Sequence, residues 1–169
     1  AKLAAHSGVT LLAETFPTRM ERGAGLPYIE RIAYLAELAT VQLTDIEQLI
    51  LVDSKAPVSF FAYPGKKSYL VPDTCQVHTL AAPDQDILAS LNKLNAAVGA
   101  SQAQPKLQPE KRPGRPRGKL TAEKVCKAVG ELMPETALIV DEGVTSRLML
   151  SVITAGAPPH TLITPPRGP

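Results

Sequence analysis

The residues with the clearest chemical potential are Asp141-Glu142-Gly143-Val144-Thr145-Ser146. They follow an aliphatic run, Ala137-Leu138-Ile139-Val140, and precede a stretch that reads as helix from Arg147 to Ile153. That order puts them at the carboxyl end of a buried strand and the amino end of a helix, the crevice where open parallel sheets bind ligands. A helix N-terminus offers unpaired N–H groups and partial positive charge, which suit a phosphate. Gly143 permits the tight turn, while Thr145 and Ser146 add hydroxyl donors. The same spacing also fits a plain capped turn, in which Asp141 and Thr145 only close the open N–H groups of a helix.

Other reactive side chains are scattered. Gly23-Ala24-Gly25 invites a dinucleotide-binding reading, but the third glycine position is Tyr28, so an ordinary loop fits better. His6, His78 and His160 fall in different elements with no shared spacing, and each reads as structural or solvated. Asp84 and Asp86 flank a helix start and read as capping charge. Cys75 and Cys126 match no CxxC pattern, so neither a zinc site nor a disulfide framework is expected. No metal ligand set is assigned.

These residues need elements to position them. Val9 to Thr15 and Leu49 to Asp53 read as buried strands, each ending in polar residues. Between them Phe16 to Leu26 reads as a loop. Pro27 then suits the first turn of a helix whose apolar residues step from Ile29 through Ile32, Ala33, Ala36 and Ala39 to Leu43. Leu35 and Leu38 add a second stripe, which predicts cover on more than one side. A third strand spans Gln76 to Leu80, and Pro83-Asp84 opens a helix with Ile87, Leu88, Leu91, Leu94 and Val98 on one face. Residues 99–118 carry no aliphatic periodicity and read as a proline-stiffened linker. Beyond it Thr121 caps a helix with an expected buried face of Val125, Ala128, Val129 and Leu132, stapled by Leu120 against Val125. The stretch from Ala155 to Pro169 reads as proline-rich loop.

Strands alternating with helices predict an α/β fold. It is a doubly wound parallel sheet, an incomplete Rossmann-like domain over 1–98, followed after the linker by the first β-α elements of a second α/β domain over 119–169. Beginning at Ala1 inside an apparent helix and ending just past a loop, the sequence reads as part of something larger.

Composition bounds the function classes. Of 169 residues, 44% are hydrophobic and 20% charged, enough for a packed core. Aromatics are 4% with no Trp, which argues against base-stacking RNA platforms. The longest aliphatic run, Leu49 to Val52, is far short of the ~20 residues of a membrane helix, so no membrane partner is expected. No signal-peptide pattern is visible, and a reducing cytoplasm is the default. The stretch from Pro105 to Lys119 carries six basic residues against Glu110, a net of +5. The chain as a whole is +2, so the remainder is −3 and nucleic acid is not an expected partner of the folded parts. Within that stretch, residues 111–119 hold a Gly-Arg-Pro core flanked by basic residues, similar to an AT-hook that lays arginines into a narrow A·T minor groove. The alternative function is therefore a DNA-associated protein. The plainer reading is a solvated basic linker between two enzyme domains.

Taken together, the segments resemble the thiamine-diphosphate-dependent enzymes of the acetolactate synthase and benzoylformate decarboxylase group. Glu14-Thr15-Phe16-Pro17-Thr18-Arg19 and the helix after Leu26 look like that group's central domain, over residues 1–98. Pro134-Glu135-Thr136-Ala137-Leu138-Ile139-Val140-Asp141-Glu142-Gly143 is similar to the opening of its C-terminal, diphosphate-binding domain, over 119–169. The resemblance implies an enzyme of three α/β domains acting on a 2-oxo acid, by carboligation or decarboxylation, and assembling as a homodimer or homotetramer. It implies thiamine diphosphate and Mg²⁺, with Gly143, Val144, Thr145 and Ser146 touching the cofactor diphosphate. The activating glutamate and the Gly-Asp-Gly…Asn segment that holds Mg²⁺ are implied outside this chain, which carries no catalytic residue and is expected to be inactive alone. FAD binds the central domain in acetolactate synthases and not in the decarboxylases, and nothing in Phe16 to Leu26 settles which applies. Where benzoylformate decarboxylases have a proton-moving histidine after Phe-Pro-Thr-Arg, this chain has Met20, whose thioether relays no proton, so benzoylformate is a doubtful substrate.

Overall fold

A computed structural model of the chain describes residues 1–143, 145 and 149–165. Two compact units emerge. One gathers Lys2–Thr15 and Glu30–Gln104; the other gathers Phe16–Ile29 and the described residues from Pro105 onward. The divisions by contact thus fall at 15/16, 29/30 and 104/105, whereas composition shifts mark 98/99 and 118/119.

The first unit begins with helix α1 (Lys2–Ser7), tied to the 3₁₀ turn Ala100–Gln102 by the Lys2 ammonium donating to the Ser101 carbonyl at 2.7 Å. Strand β1 (Leu12–Ala13) pairs parallel with β3 (Glu30–Arg31), and β4 (Gln48–Val52) pairs parallel with β5 (Gln76–Ala81). Helix α3 (Ile87–Ala97) is capped by Asp86, whose Oδ1 accepts the Ala89 N–H at 2.9 Å. The core is small. Ala36, Ala39 and Leu43 of helix α2 (Ala36–Leu43) pack with Leu70, flanked by Leu12, Ile32 and Ile46.

Three expectations fail in this unit. The helix expected from Pro27 starts only at Ala36, because Glu30–Arg31 is held extended against β1 and the β-branched Ile29 and Ile32 favour that conformation. The Gln42 side chain reinforces it, accepting from the Ala33 N–H at 3.0 Å and donating to the Arg31 carbonyl at 3.2 Å. Leu35 and Leu38, expected to be covered, are exposed. The strand expected over Val9–Thr15 shortens to two residues.

The second unit is built on a three-stranded sheet in the order β2 (Arg19–Arg22), β7 (His160–Ile163), β6 (Ala137–Val140). Strands β6 and β7 are parallel, with Ala137 opposite His160 and Val140 opposite Ile163; β2 runs antiparallel to β7. Helix α4 (Ala122–Leu132) precedes β6, and the single turn α5 (Leu150–Ile153) lies in the crossover from β6 to β7. Among the described residues three of the four strand pairings are parallel, and the fold is α/β.

Both β2 and β7 fall in segments that read as loop. Each is four residues long and interrupted by polar side chains, so neither offers an aliphatic run. Helix α4 starts where expected: the Thr121 hydroxyl accepts the Lys124 N–H at 3.3 Å. Its buried face does not follow. Cys126 and Gly130, with Met133 just beyond, face inward, while Val125, Val129 and Leu132 are exposed. Leu120 is 75% exposed, so no packed staple forms with Val125. The inward choice follows from what lies close. A Cβ on Gly130 would meet the Pro113 ring at 3.0 Å, so glycine lets that chain segment pack closely without the ring having to shift.

Candidate functional site

The loop after β6 starts from a fixed residue. The Asp141 N–H donates to the Ile163 carbonyl at 2.9 Å, which extends the parallel ladder by one step, and the residue is buried. Its Oδ1 accepts the Gly143 N–H at 3.1 Å, closing a turn of the Asx kind that sets the direction of the loop. Thr145 follows and is exposed. Val144 and Ser146, the other two residues expected here, lie outside the described residues. The helix expected from Arg147 is described from Leu150; it is one turn long, and Met149 before it supplies no side-chain cap. Thr145 therefore stands five positions ahead of the described helix, outside its first turn.

The register shows what lies beside this loop. Thr164 follows β7 as Asp141 follows β6, so the two sit side by side at the carboxyl ends of adjacent parallel strands. Thr164 donates its N–H to the Thr18 carbonyl at 3.2 Å; it is 2% exposed, and its hydroxyl has no hydrogen-bond partner. Burial, helped by the Asp141 charge, pushes the Cys126 thiol up, so it stays protonated and unreactive near neutral pH. Neither cysteine is in a disulfide, and among the described residues no cluster of His, Cys, Asp and Glu could hold a metal ion.

At the opposite end of the sheet Arg22 stands across from His160, and both are buried. His160 Nδ1 lies 2.8 Å from the Pro158 carbonyl, which can only accept, so Nδ1 carries the proton. Burial, and then the Arg22 charge, push the imidazole below its ordinary range against the opposing pull of the Pro158 carbonyl and Glu21. Sequence reasoning missed the Arg22–His160 pair and the place of Thr164 beside Asp141 because strand pairing alone creates both. The usable signal was the alternation of His160, Leu162 and Thr164 after Pro158-Pro159.

The remaining candidates separate. His6 lies in α1, and His78 in β5 meets the Gln48 amide oxygen at 2.7 Å. Gly23 to Gly25 form no cofactor loop but a turn fastened by backbone, with the Ala24 N–H on the Ala157 carbonyl at 2.8 Å and the Gly25 N–H on the Gln108 carbonyl at 2.9 Å. The basic stretch is partly a strap: Arg112 donates to the Glu131 carbonyl at 2.6 Å and the Met133 carbonyl at 3.1 Å, and the Lys111 N–H donates to the Gly156 carbonyl at 2.8 Å. Arg115 and Arg117 are exposed.

Comparison with known proteins bears on all of these segments at once. The chain is 45% identical, over 172 aligned positions and 97% of its length, to the protein named "Putative acetolactate synthase large subunit IlvX" of Mycobacterium tuberculosis (strain ATCC 25618 / H37Rv). It spans about a third of that relative, 32% of its length. No family model matches the chain. No solved structure matches it either. Over nearly its whole length, then, the sequence is similar to part of an acetolactate synthase-like protein.

Proposed function

We propose that the chain is part of a thiamine-diphosphate-dependent enzyme acting on a 2-oxo acid, with residues 1–98 from its central domain, 99–118 a linker and 119–169 the start of its diphosphate-binding domain. The supporting observation is the 45% identity carried through 97% of the chain, which includes the Asp141–Thr145 loop. The donor chemistry there fits the margin of a diphosphate site. Thr145 offers an exposed hydroxyl, and Gly143 brings no side chain into the approach. Val144 and Ser146 complete the proposed contact, and the Asx turn at Asp141 fixes the position of Gly143. When bound, the cofactor would supply the electron sink that loss of CO₂ from a 2-oxo acid requires. This chain's part is to orient the diphosphate. Mg²⁺ would be held by residues outside it, FAD on the central domain stays open, and assembly as a dimer or tetramer belongs to the same proposal.

Two titrations test this. Hydrogen bonds from one loop are worth about 1–3 kcal/mol toward a diphosphate, short of the ~4 kcal/mol of a millimolar complex. Calorimetry of the 169-residue chain with thiamine diphosphate and Mg²⁺ should therefore show no saturable heat. A polypeptide carrying this segment at the length of the mycobacterial relative should bind the cofactor and consume pyruvate or another 2-oxo acid. Micromolar binding by the short chain overturns the assignment of residues 143–146. A long polypeptide that binds no thiamine diphosphate overturns the function.

A further inference from the structure

Arg22 is 5% exposed, and a guanidinium stays protonated at any pH a folded protein meets. Burial does lower its pKa, though not into a range where the charge is lost. Its donors are incompletely used. Nη2 donates to the Ser151 carbonyl at 2.8 Å, the Tyr28 side chain is a second polar partner, and the guanidinium carbon lies 5.5 Å from the centre of the Tyr28 ring. Nε is buried and has no acceptor. Among the described residues no carboxylate stands within ion-pair distance. Neighbouring Glu21 points to the other face of β2, where it pairs with Arg19 at 2.8 Å and accepts from the Thr161 hydroxyl at 3.0 Å. A carbonyl and an aromatic face ease a buried cation but do not neutralise it, and a buried charge without a counterion is costly.

Beside it is a cavity of about 10 Å³, lined by Glu21, Arg22, Gly23, Tyr28, Gln108 and Ala155 among others; the Glu21 carboxylate itself is engaged by Arg19 and Thr161. That is the room of one water-sized sphere, too small for phosphate, sulfate or a carboxylate. We propose that this cavity is a binding site for a single monatomic anion, chloride, held by Arg22. A water there would accept one hydrogen bond and leave the charge uncompensated. Chloride, a monatomic ion somewhat larger than water, accepts the hydrogen bond and compensates the charge. The site lies within the unit that carries the Asp141 loop, and Arg22 links β2 to the Ser151 carbonyl of α5, so occupancy steadies the sheet from which that loop starts. The inference does not depend on the proposed enzyme activity.

The test is thermal unfolding of the 169-residue chain in sodium chloride against sodium gluconate at equal ionic strength. Chloride at about five times its dissociation constant should raise Tm by about 2–4 °C for a chain of this size, with bromide substituting for it. Arg22→Met should lose the difference between the two salts, whatever its own stability. Diffraction from crystals soaked in bromide keeps the proposal exposed if that variant fails to fold, and an anomalous peak in hydrogen-bond range of Nε supports it. Equal Tm in the two salts, an unchanged chloride increment in Arg22→Met, or an ordered water or a neighbour's carboxylate at Nε overturns it.

Discussion

Gly23 has φ +114°, and a Cβ built on it would stand 2.6 Å from the Pro158 carbonyl oxygen and 2.8 Å from that of Ala157. Both obstacles are backbone, so neither can swing aside. Gly23→Ala should cost about 3 kcal/mol or more, read as a lower urea midpoint at unchanged slope. His160 makes a different prediction. Its folded pKa lies below the unfolded value near 6.5, so between the two the unfolded chain binds more protons. The stability it contributes is complete above pH 6.5 and is lost as pH falls below that. Denaturant midpoints measured from pH 7.5 to 5 should decline, and His160→Gln should flatten the decline; an equal decline in the variant would place the effect elsewhere. The residue scale was partly legible in the sequence. Thr121 and Asp86 were readable as caps because capping is local chemistry. Arg22 and His160 were not, since neither carries a mark of its burial until β2 and β7 pair.

Among the elements, those carried by aliphatic runs, β4 and β6, were readable, as was the more polar β5, and so were α3 and α4. Elements that depend on neighbours were not. Strand β3 exists because Ile32 donates its N–H to the Ala13 carbonyl at 2.9 Å, a contact no local pattern announces. The inward face of α4 was misread because its most apolar stripe is not the one that meets the rest of the unit. The strap supplies the missing reason, packing Pro113 on Gly130 and reaching the carbonyls that α4 leaves open with Arg112. A cation at a helix C-terminus also opposes the negative end of the helix. Arg112→Ala should therefore lower stability by about 1 kcal/mol, with Arg112→Gln recovering part of it through one remaining hydrogen bond; equal midpoints for all three proteins by denaturant unfolding would contradict that role.

At the scale of the molecule, the Asp141 loop was singled out as a candidate from position alone, because the carboxyl end of a parallel strand is where such sheets present chemistry. Its neighbours were not, since Thr164 reaches it only through the register of β7 on β6. The basic strap has one more consequence, for proteases. Trypsin-like enzymes cut after Arg or Lys but not before proline, and Arg112 and Arg115 are each followed by one. The first exposed bonds past the anchored part are those after Arg117 and Lys119, in exposed chain outside any helix or strand, of the sort proteases prefer. A cut after Arg117 leaves pieces of 117 and 52 residues. The larger keeps β2 and the smaller keeps β6 and β7, and the four-residue antiparallel ladder between β2 and β7 still joins them. The nicked protein should elute as one species in gel filtration and run as two bands in denaturing gels, and two separate native peaks would show that the ladder does not hold. A chain severed at its most basic point would then remain, in solution, a single body.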